Sequence, residues 1–404
     1  MTRVVFVNLY FYPDHSATSQ LLGDLAFDLA QSGETVVTIA SRQIYDAPAQ
    51  QLAARDKVRG VDIIRVWTTR WGRHFIAGRL IDYLTFYLSA TIALWRVVRR
   101  GDVIVVKTDP PLFLILAAWI ARRRGAKTVI WLQDLYPEIA SALGVIRSAG
   151  YLHRLLLRLR NRALNAAALN VAIGEDMAER LTAMGIAPAT LRIIHNWSDD
   201  EAVTPQEDAQ NALRAAWGLE GKFVVGYSGN LGRAHECETL LAAAKTLRAH
   251  SGIHFLFIGG GRATDALQKR AAESGLENFS FLPYQPRDTL SLSLAASDVH
   301  WLSLRPELDG LVLPSKFYGI AAAGRPVIAV TTPASAFGRM IETAECGYAI
   351  ATGDSVGLAE AISVLATDAE LRRRAGANAR YLLETRFTKR QALAQWRAAL
   401  SEIA

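Results

Sequence analysis

The stretch PELDGLVLPSKFYGIAAAGRPVI, residues 306–328, carries the strongest fold signal in the chain. Asp309-Gly310 is typical of a turn, and Pro314 suits the first turn of a helix, where its missing N–H costs nothing. Residues 316–323 then predict a short helix that leads into an apolar strand. A helix that begins behind a loop offers free N–H groups and a positive dipole end to an anion, and Lys316 adds a formal charge. This unit therefore predicts a binding site for a phosphate or a diphosphate.

The same alternation of strand and helix extends in both directions from this stretch. Strands are predicted before residue 200 at 4–9, 34–40, 62–67, 102–107 and 127–132, and after it at 223–227, 254–258, 279–282, 299–302 and 327–330. Short apolar strands separated by helices indicate parallel sheets covered on both faces.

An acidic, aperiodic segment at residues 198–211 interrupts the alternation and predicts a domain boundary. The prediction is an α/β chain with two doubly wound domains, 1–200 and 201–387, that face each other across a cleft. A C-terminal helix at 388–404 packs back on the first domain. Ligands in such sheets bind beyond the carboxyl ends of the strands.

Composition narrows the class of protein. The chain has 404 residues, 51% of them hydrophobic, a net charge of +7 and two cysteines without metal-ligand spacing, which favours a soluble protein of a reducing compartment. The N-terminal apolar run is too short for a signal peptide. Arginines gather in the later part of the first domain among Trp, Phe, Tyr and Leu, so an anionic membrane surface is favoured as the partner over nucleic acid.

Residues 76–98 predict an apolar helix whose uncharged run is shorter than the roughly 20 residues that a bilayer requires. It is either a buried core helix or a helix that lies in the membrane surface, and the neighbouring arginines favour the second interpretation. The predicted lipid contacts are Arg70, Arg73, Phe75, Arg79, Tyr83, Phe86, Trp95 and Arg96.

Residues 227–233, YSGNLGR, follow a strand and precede a helix in the second domain. Gly229 and Gly232 let the backbone approach a ligand closely, and Arg233 can hold a phosphate with two hydrogen bonds. Together with Lys316 this turn predicts a diphosphate clamp. A second glycine-rich turn, residues 259–261, lacks the spacing of dinucleotide binders, and a structural role is favoured for it.

In the first domain, Asp134 comes directly after a strand. It either orients an acceptor hydroxyl group or caps the following helix, and the sequence leaves both open. His15 and Ser16 follow the first strand, and Asn196 follows the last strand of the domain, so all three are predicted to line the ligand side of the sheet.

Taken together, the motifs resemble those of the GT-B glycosyltransferases, specifically glycosyltransferase family 4. The resemblance covers nearly the whole chain and depends on the order of the motifs. These are YPDHSA at 12–17, QDLYPE at 133–138, HNWSD at 195–199, YSGNLGR at 227–233, IGGG at 258–261 and PSKFYG at 314–319 with AAGRP at 322–326.

The resemblance implies that the second domain binds a nucleotide-diphosphate sugar, expected to be a UDP-sugar. Arg233 and Lys316 would neutralise the leaving diphosphate, so that no metal or other cofactor is needed. Tyr284 would frame the base. The remaining expected donor contacts are Gly229, Asn230, Gly232, Gly260, Leu313, Pro314 and Ser315.

The resemblance also implies an acceptor on the first domain, near His15, Ser16, Asn196 and Asp134. The related bacterial enzymes build cell-surface polysaccharide on a polyprenyl-diphosphate carrier, and transfer in the family retains the anomeric configuration. The expected location is the cytoplasmic face of the inner membrane, with peripheral attachment.

One position departs from the family pattern. The family carries two glutamates, and the second, which holds the ribose, is replaced here by Gly319. Glu307 and Asp309 remain candidates for the first acid, which binds the donor sugar. Two alternatives to a transferase are kept: a sugar-nucleotide epimerase of GT-B architecture and, because of Gly319, a sugar-nucleotide binder without catalysis.

Overall fold

The structure is a computed structural model that describes residues 3–45, 50–71, 76–146, 150–206 and 211–403. Arg73 and Phe75, two of the predicted lipid contacts, lie outside these ranges. The chain divides into two compact units, Met1–His195 with Ala392–Ala404, and Asn196–Gln391. The sequence predicts the domain boundary between residues 200 and 201, and the C-terminal helix that packs back at 388–404.

The first unit contains an eight-stranded sheet with the order β3-β4-β2-β1-β5-β6-β7-β8. Its strands are β1 Arg3–Val7, β2 Thr35–Ser41, β3 Arg55–Val58, β4 Val61–Val66, β5 Val103–Lys107, β6 Lys127–Trp131, β7 Leu169–Ala172 and β8 Leu191–Ile193. All neighbours are parallel except β3, which runs antiparallel to β4 at the edge. β3 was not predicted because its sequence, RDKV, is mostly charged and exposed.

The second unit contains a six-stranded parallel sheet with the order β11-β10-β9-β12-β13-β14. Its strands are β9 Phe223–Asn230, β10 Ile253–Gly260, β11 Phe279–Leu282, β12 Val299–Ser303, β13 Val327–Val330 and β14 Gly347–Ile350. Two parallel sheets covered by helices confirm the predicted α/β class with two Rossmann-like units.

Helices connect the strands in both units. They are α1 Ala17–Gln31, α2 Ile76–Val97, α3 Phe113–Arg124, α4 Glu138–Ala142, α5 Tyr151–Ala166, α6 Glu175–Ala183, α7 Ala212–Ala216, α8 Glu238–Thr246, α9 Arg262–Glu273, α10 Leu290–Ala295, α11 Lys316–Ala322, α12 Ala336–Thr343, α13 Ser355–Thr367, α14 Ala369–Arg386 and α15 Lys389–Ile403. The helix predicted at 316–323 is α11.

In each sheet there is one place where the chain stops adding strands on one side and begins to add them on the other. In the first sheet this switch point lies between β1 and β5, and in the second it lies between β9 and β12. The crevice beyond the carboxyl ends of the two strands at a switch point is where open α/β sheets bind ligands. The topology therefore directs attention to the loops after β1, β5, β9 and β12.

Helix α15 returns to the first unit at the end of the chain. The ring of Trp396 packs on that of Trp131 with 4.6 Å between centroids, and both side chains are fully buried. Arg397 binds both carboxylate oxygens of Asp28 on α1, at 2.6 and 2.5 Å. The α15 side chains thus complete the core of this unit.

Helix α2 has one buried face and one exposed apolar face. Phe86, Ala90 and Leu94 are buried at 0% exposure, so this face belongs to the core, whereas Leu84 and Leu88 are 63% and 64% exposed. The prediction of Phe86 as a lipid contact is therefore wrong. Its spacing of four residues from Ala90 places both on the buried face, where its ring packs on Phe113. No described helix is long and apolar enough to cross a membrane.

Candidate functional site

The turn after β9 is held in shape by the end of β12, its neighbour at the switch point. The backbone N–H of Glu236 donates to Ser303 Oγ at 2.8 Å, and the N–H of Arg305 donates to the carbonyl of Ala234 at 3.0 Å. His235 Nδ1 lies 2.8 Å from the carbonyl oxygen of Ser303. Because a carbonyl only accepts hydrogen bonds, Nδ1 carries the proton.

A buried polar network beneath this turn contains a neutral histidine. The hydroxyl group of Tyr227 donates to the carbonyl of Asn230 at 2.7 Å and lies 3.1 Å from His235 Nε2. Burial, with a smaller effect of the nearby Lys316, lowers the pKa of His235 to about 4. At neutral pH the histidine therefore adds no positive charge, and it fixes the turn rather than binding an anion.

Lys316, at the first position of α11, extends across the turn after β9. Its Nζ lies 5.2 Å from the centroid of the Tyr227 ring, and a Cβ atom added to Gly229 would lie 2.7 Å from its Cε. Gly229 has φ +128°, a backbone conformation that residues other than glycine rarely adopt. The absence of a side chain at Gly229 thus makes room for the lysine.

The charge of Lys316 has no partner in the part of the chain that the structure describes. No hydrogen bond or ion pair of its Nζ is present there, and burial lowers the pKa of Lys316 to about 8. A partly desolvated ammonium group without a counter-ion is a favourable site for an anion. Of the predicted diphosphate site, Lys316 thus lies directly against the glycine turn at Gly229.

The second glycine-rich turn packs on the first. A Cβ atom at Gly259 would lie 2.4 Å from the carbonyl oxygen of Gly229, and one at Gly261 would lie 2.4 Å from that of Leu231. The ring of Tyr284 covers two of these glycines. It would lie 3.1 Å from a Cβ atom at Gly259 and 3.6 Å from one at Gly260. This turn has the favoured structural role, and it also supports a half-exposed aromatic ring beside the turn after β9.

The other predicted donor residues surround these turns. Arg233, Glu307 and Ser315 are exposed, and Asp309, Leu313 and Pro314 are partly buried on the chain between β12 and α11. No ion pair or hydrogen bond of the Arg233 side chain is present within the described ranges. Asn230 ends β9, and Gly232 lies in the turn that follows.

The glycine at the expected ribose position has room beside it. A Cβ atom on Gly319 would meet only Leu294 Cδ1 at 3.8 Å, which is ordinary van der Waals contact. The helix therefore does not require glycine at this position, and the missing carboxylate is a feature of the sequence rather than of the packing.

A second group of polar residues lies at the switch point of the first sheet. Lys107 ends β5 and is fully buried. Its Nζ donates to the carbonyl of Thr18 at 3.0 Å and lies 3.8 Å from the centroid of the Trp131 ring. Thr18 Oγ1 in turn donates to Asp109 Oδ2 at 3.2 Å.

Burial shifts all three charged groups of this cluster toward their neutral forms. It raises the pKa of Asp134 to about 7, with a further increase from Asp109, and it lowers the pKa of Lys107 to about 7. It also raises the pKa of Asp109. The cluster can therefore accept hydrogen bonds from hydroxyl groups and hold or release a proton near neutral pH.

Asp134 does not cap a helix, so the capping interpretation is wrong. Helix α4 begins at Glu138 and its N-cap residue is Pro137, with no side-chain cap. The backbone N–H of Asp134 donates to Thr108 Oγ1 at 3.1 Å, so the loops after β5 and β6 are joined. The carboxyl group of Asp134 is thereby held in the cluster with Asp109.

Aromatic side chains and an arginine border the same cluster. The electrostatic neighbours of Tyr136 are Asp134, Tyr83, Arg79 and Asp109. Tyr10, which follows β1, is an electrostatic neighbour of Asp109, Asp14 and Arg79, and burial raises its pKa. Four segments of the chain therefore meet at this switch point.

Three predicted acceptor residues have other surroundings. His15 is exposed, and the hydroxyl group of Ser16 donates to Asp14 Oδ1 at 2.5 Å. Asn196 is only 2% exposed and is the first residue of the second unit.

Sequence reasoning missed Tyr10, Lys107, Asp109 and Tyr136 as site residues, and it gave His235 no role. Lys107 and Asp109 had one signal, a lysine at the end of an apolar strand followed two residues later by an acid. A lysine in that position is either buried or at the ligand edge of the sheet. No group of three His, Cys, Asp or Glu residues that could hold a metal ion occurs among the residues described.

Two family models match the chain. Residues 209–381 match the model described as "Glycosyl transferases group 1", and residues 18–197 match "Glycosyl transferase 4-like domain". They cover the two units separately.

Curated relatives have similar names. Over 266 residues the chain is 32% identical to "Probable glycosyltransferase WbjE" of Pseudomonas aeruginosa. The match covers 65% of this chain and 66% of that protein. Over 270 residues it is 27% identical to "Putative colanic acid biosynthesis glycosyl transferase WcaI" of Escherichia coli (strain K12), with 66% of each covered. The matched segment thus spans just under two thirds of each relative.

A solved structure shares the fold over the full length. The crystal structure of Anabaena Alr3699/HepE in complex with UDP and glucose matches with a TM-score of 0.75 and 17% identity, and 100% of both chains is covered. At this identity the likeness shows the fold.

Proposed function

Because the chain belongs to the GT-B glycosyltransferases of the family 4 type, we propose that it transfers a sugar from a UDP-sugar to a lipid-linked acceptor in bacterial polysaccharide synthesis. The donor binds to the second unit and the acceptor to the first. HepE, with which the chain shares its fold, binds UDP and glucose, and WcaI is named for colanic acid biosynthesis. These relatives support the classes of donor and product.

The observation that carries the proposal is the ammonium group of Lys316 beside Gly229, which has no ion-pair partner among the described residues. A diphosphate placed there would meet Lys316 from α11 and the exposed guanidinium group of Arg233 from the turn after β9. Charge-assisted hydrogen bonds of this kind are strongest where water is partly excluded. The two cations would offset the charge of the leaving group, which in the proposed mechanism replaces a metal ion.

The proposed transfer retains the anomeric configuration. The bond between the anomeric carbon and the β-phosphate oxygen breaks, and the acceptor oxygen bonds to the same face of that carbon. The acceptor proton passes to the departing phosphate oxygen, so UDP leaves with the electron pair of the broken bond. Asp109 and Asp134 would orient the acceptor hydroxyl group by accepting hydrogen bonds.

The proposed attachment to the membrane uses the outward face of α2 and its basic end. Leu80, Leu84, Leu88 and Ile92 are exposed at four-residue spacing. Beyond them the exposed rings of Trp95 and Trp119 stack at 5.4 Å, under the guanidinium groups of Arg124 and Arg123. An apolar row that ends in Trp and Arg is suited to an anionic lipid surface.

The test is UDP release with a UDP-sugar panel and a polyprenyl-diphosphate sugar as acceptor. Lys316→Ala and Arg233→Ala should each lower kcat/KM for the donor by about 100-fold or more, the usual effect of removing a group that stabilises developing charge.

Lys269→Ala is the matched control, because Lys269 is an exposed lysine of α9 in the same unit. It should retain activity. Full turnover in both site variants would refute the diphosphate clamp. Conversion of the UDP-sugar to an epimer without acceptor would instead support the epimerase.

A further inference from the structure

Two adjacent rows of side chains run along the first half of α2. Leu80, Leu84 and Leu88 form the exposed apolar row. Arg79, Tyr83 and Tyr87 form the next row, displaced by one residue around the helix, and both rows have the spacing of four residues that places side chains above one another. The same helix therefore joins an apolar outer surface to a polar row beside it.

The polar row leads into the acid cluster at the switch point of the first sheet. Arg79 Nε donates to the hydroxyl group of Tyr83 at 3.0 Å, and the rings of Tyr83 and Tyr87 are parallel at 6.4 Å. The hydroxyl group of Tyr87 donates to the carbonyl of Pro111, which follows β5. Asp109 is a shared electrostatic neighbour of all three side chains.

The guanidinium group of Arg79 is available for an anion. Within the described ranges none of its nitrogens lies within 4.0 Å of a carboxylate oxygen. The nearest acid along the helix, Asp82, accepts hydrogen bonds from Thr69 Oγ1 at 2.6 Å and from the N–H of Trp71 at 3.0 Å. Among the described residues, Tyr83 is the one side chain that accepts a hydrogen bond from Arg79, which leaves further donors of the planar fork for a phosphate.

We infer that Arg79, oriented by Tyr83, binds the phosphate that joins an apolar chain to the acceptor sugar. The chain would lie along Leu80, Leu84 and Leu88, and the sugar would point toward Asp109 and Asp134. This inference rests on the proposed function, since it names the residues that recognise its acceptor. It moves Arg79 from a general contact with lipid head groups to a specific contact with substrate.

Each part of such a ligand would contact side chains of matching charge or polarity. The guanidinium group faces the anion at the exposed side of the cluster, while the two acids lie deeper and can accept hydrogen bonds from sugar hydroxyl groups. A free phospholipid head group would satisfy Arg79 but would leave the acids without a ligand. The phosphate of a lipid-linked sugar satisfies both sets of groups.

Calorimetric titration of the full chain with farnesyl diphosphate tests the inference without requiring turnover. Arg79→Ala should raise the Kd by about tenfold or more, the scale of one charge-assisted contact. Arg79→Gln keeps the stem and serves as a second variant. The control is Arg180→Ala, which removes an exposed arginine of α6 in the same unit and should leave the Kd unchanged.

Three further ligands identify the part of farnesyl diphosphate that is recognised. Inorganic diphosphate should compete weakly and farnesol should not compete, because phosphate and chain are bound together. Vesicles of phosphatidylcholine with added phosphatidylglycerol should bind Arg79→Ala almost as well as the unaltered protein. If Arg79→Ala weakens vesicle binding but leaves the farnesyl diphosphate Kd unchanged, Arg79 is a head-group contact and the inference is overturned.

Failure of the inference about Arg79 can be distinguished from failure of the transferase proposal. UDP binding, measured in the same samples, depends on the second unit and should be unchanged in Arg79→Ala. Loss of UDP binding in the unaltered protein would count against the donor site alone. Equal farnesyl diphosphate binding by the unaltered protein and both Arg79 variants would overturn the acceptor site alone.

Discussion

At the scale of single residues, Lys316 shows how a local pattern becomes a site. Its place at the start of a helix was readable from the proline and serine before it. Its environment was not, because the contact with Gly229 joins residues 87 positions apart in the chain. The contact matters because it partly buries an ammonium group without a counter-ion, which lowers the pKa of Lys316 to about 8.

This pKa predicts an alkaline limit to donor capture. Lys316 is protonated below pH 8 and loses its charge as the pH rises through about 8, so kcat/KM for the donor should fall above that value. The measurement is a pH profile of kcat/KM under saturating acceptor. Lys316→Arg should shift the limit upward beyond the accessible range, since arginine stays charged. A flat profile up to pH 10 in the unaltered protein would contradict the prediction.

Lys107, Asp109 and Asp134 show the opposite relation between sequence and site. Lys107 is the last residue of β5 and Asp109 lies on the loop after it, whereas Asp134 lies on the loop after β6, with helix α3 between the two strands. Their common environment arises because β5 and β6 are neighbours in the sheet, so their carboxyl ends meet. Asp134 was predicted as a site residue from its place after a strand; Lys107 and Asp109 were not.

At the scale of elements, α2 decides a question that composition alone left open. Both faces of this helix are apolar, so hydrophobicity cannot say which face is buried. Packing against α3 selects the face with Phe86 and Leu94 for the core and leaves Leu84 and Leu88 on the surface. An exposed apolar row of this length requires an explanation, and a lipid surface is the proposed one.

The prediction for α2 is loss of vesicle binding without loss of stability. Leu88→Glu should reduce sedimentation with phosphatidylglycerol vesicles several-fold, because it places a negative charge in the apolar row facing an anionic surface. Val356→Glu is the matched control, since Val356 on α13 is 62% exposed and Leu88 is 64% exposed. Equal sedimentation of the two variants would show that α2 is not the docking face.

At the scale of the whole molecule, α15 makes the first unit discontinuous in sequence. Trp396 is fully buried against Trp131, and Arg397 pairs with Asp28, so residues from both ends of the chain share one core. The unit can reach its native packing only after the last helix is present.

Trp396→Ala should therefore destabilise the first unit by about 3–5 kcal/mol, the range for removal of a large buried aromatic side chain. The measurement is urea unfolding followed by far-UV circular dichroism, with the transitions of the two units fitted separately. Trp119→Ala, which removes a 46% exposed ring, should cost about 1 kcal/mol or less. Similar midpoints for the two variants would mean that α15 contributes little to the core.

The sequence by itself determined the class of fold and the positions of the turns for which a ligand is proposed. Alternating short apolar runs and helical periods are local patterns, and so are the glycines and prolines that end them. The edge strand β3 escaped this reasoning because its charged residues carry no apolar pattern. The short strands β7, β8 and β14, of three or four residues each, were not among the predicted strand ranges either.

Only the tertiary structure decided which face of α2 is buried, that Gly229 accommodates Lys316, and that Lys107, Asp109, Asp134 and Tyr136 share one environment. These depend on which strands are neighbours in the sheet and on which atoms fill the space between helices. A linear pattern does not contain that information, because burial and the resulting shifts in pKa are set by residues distant in the chain.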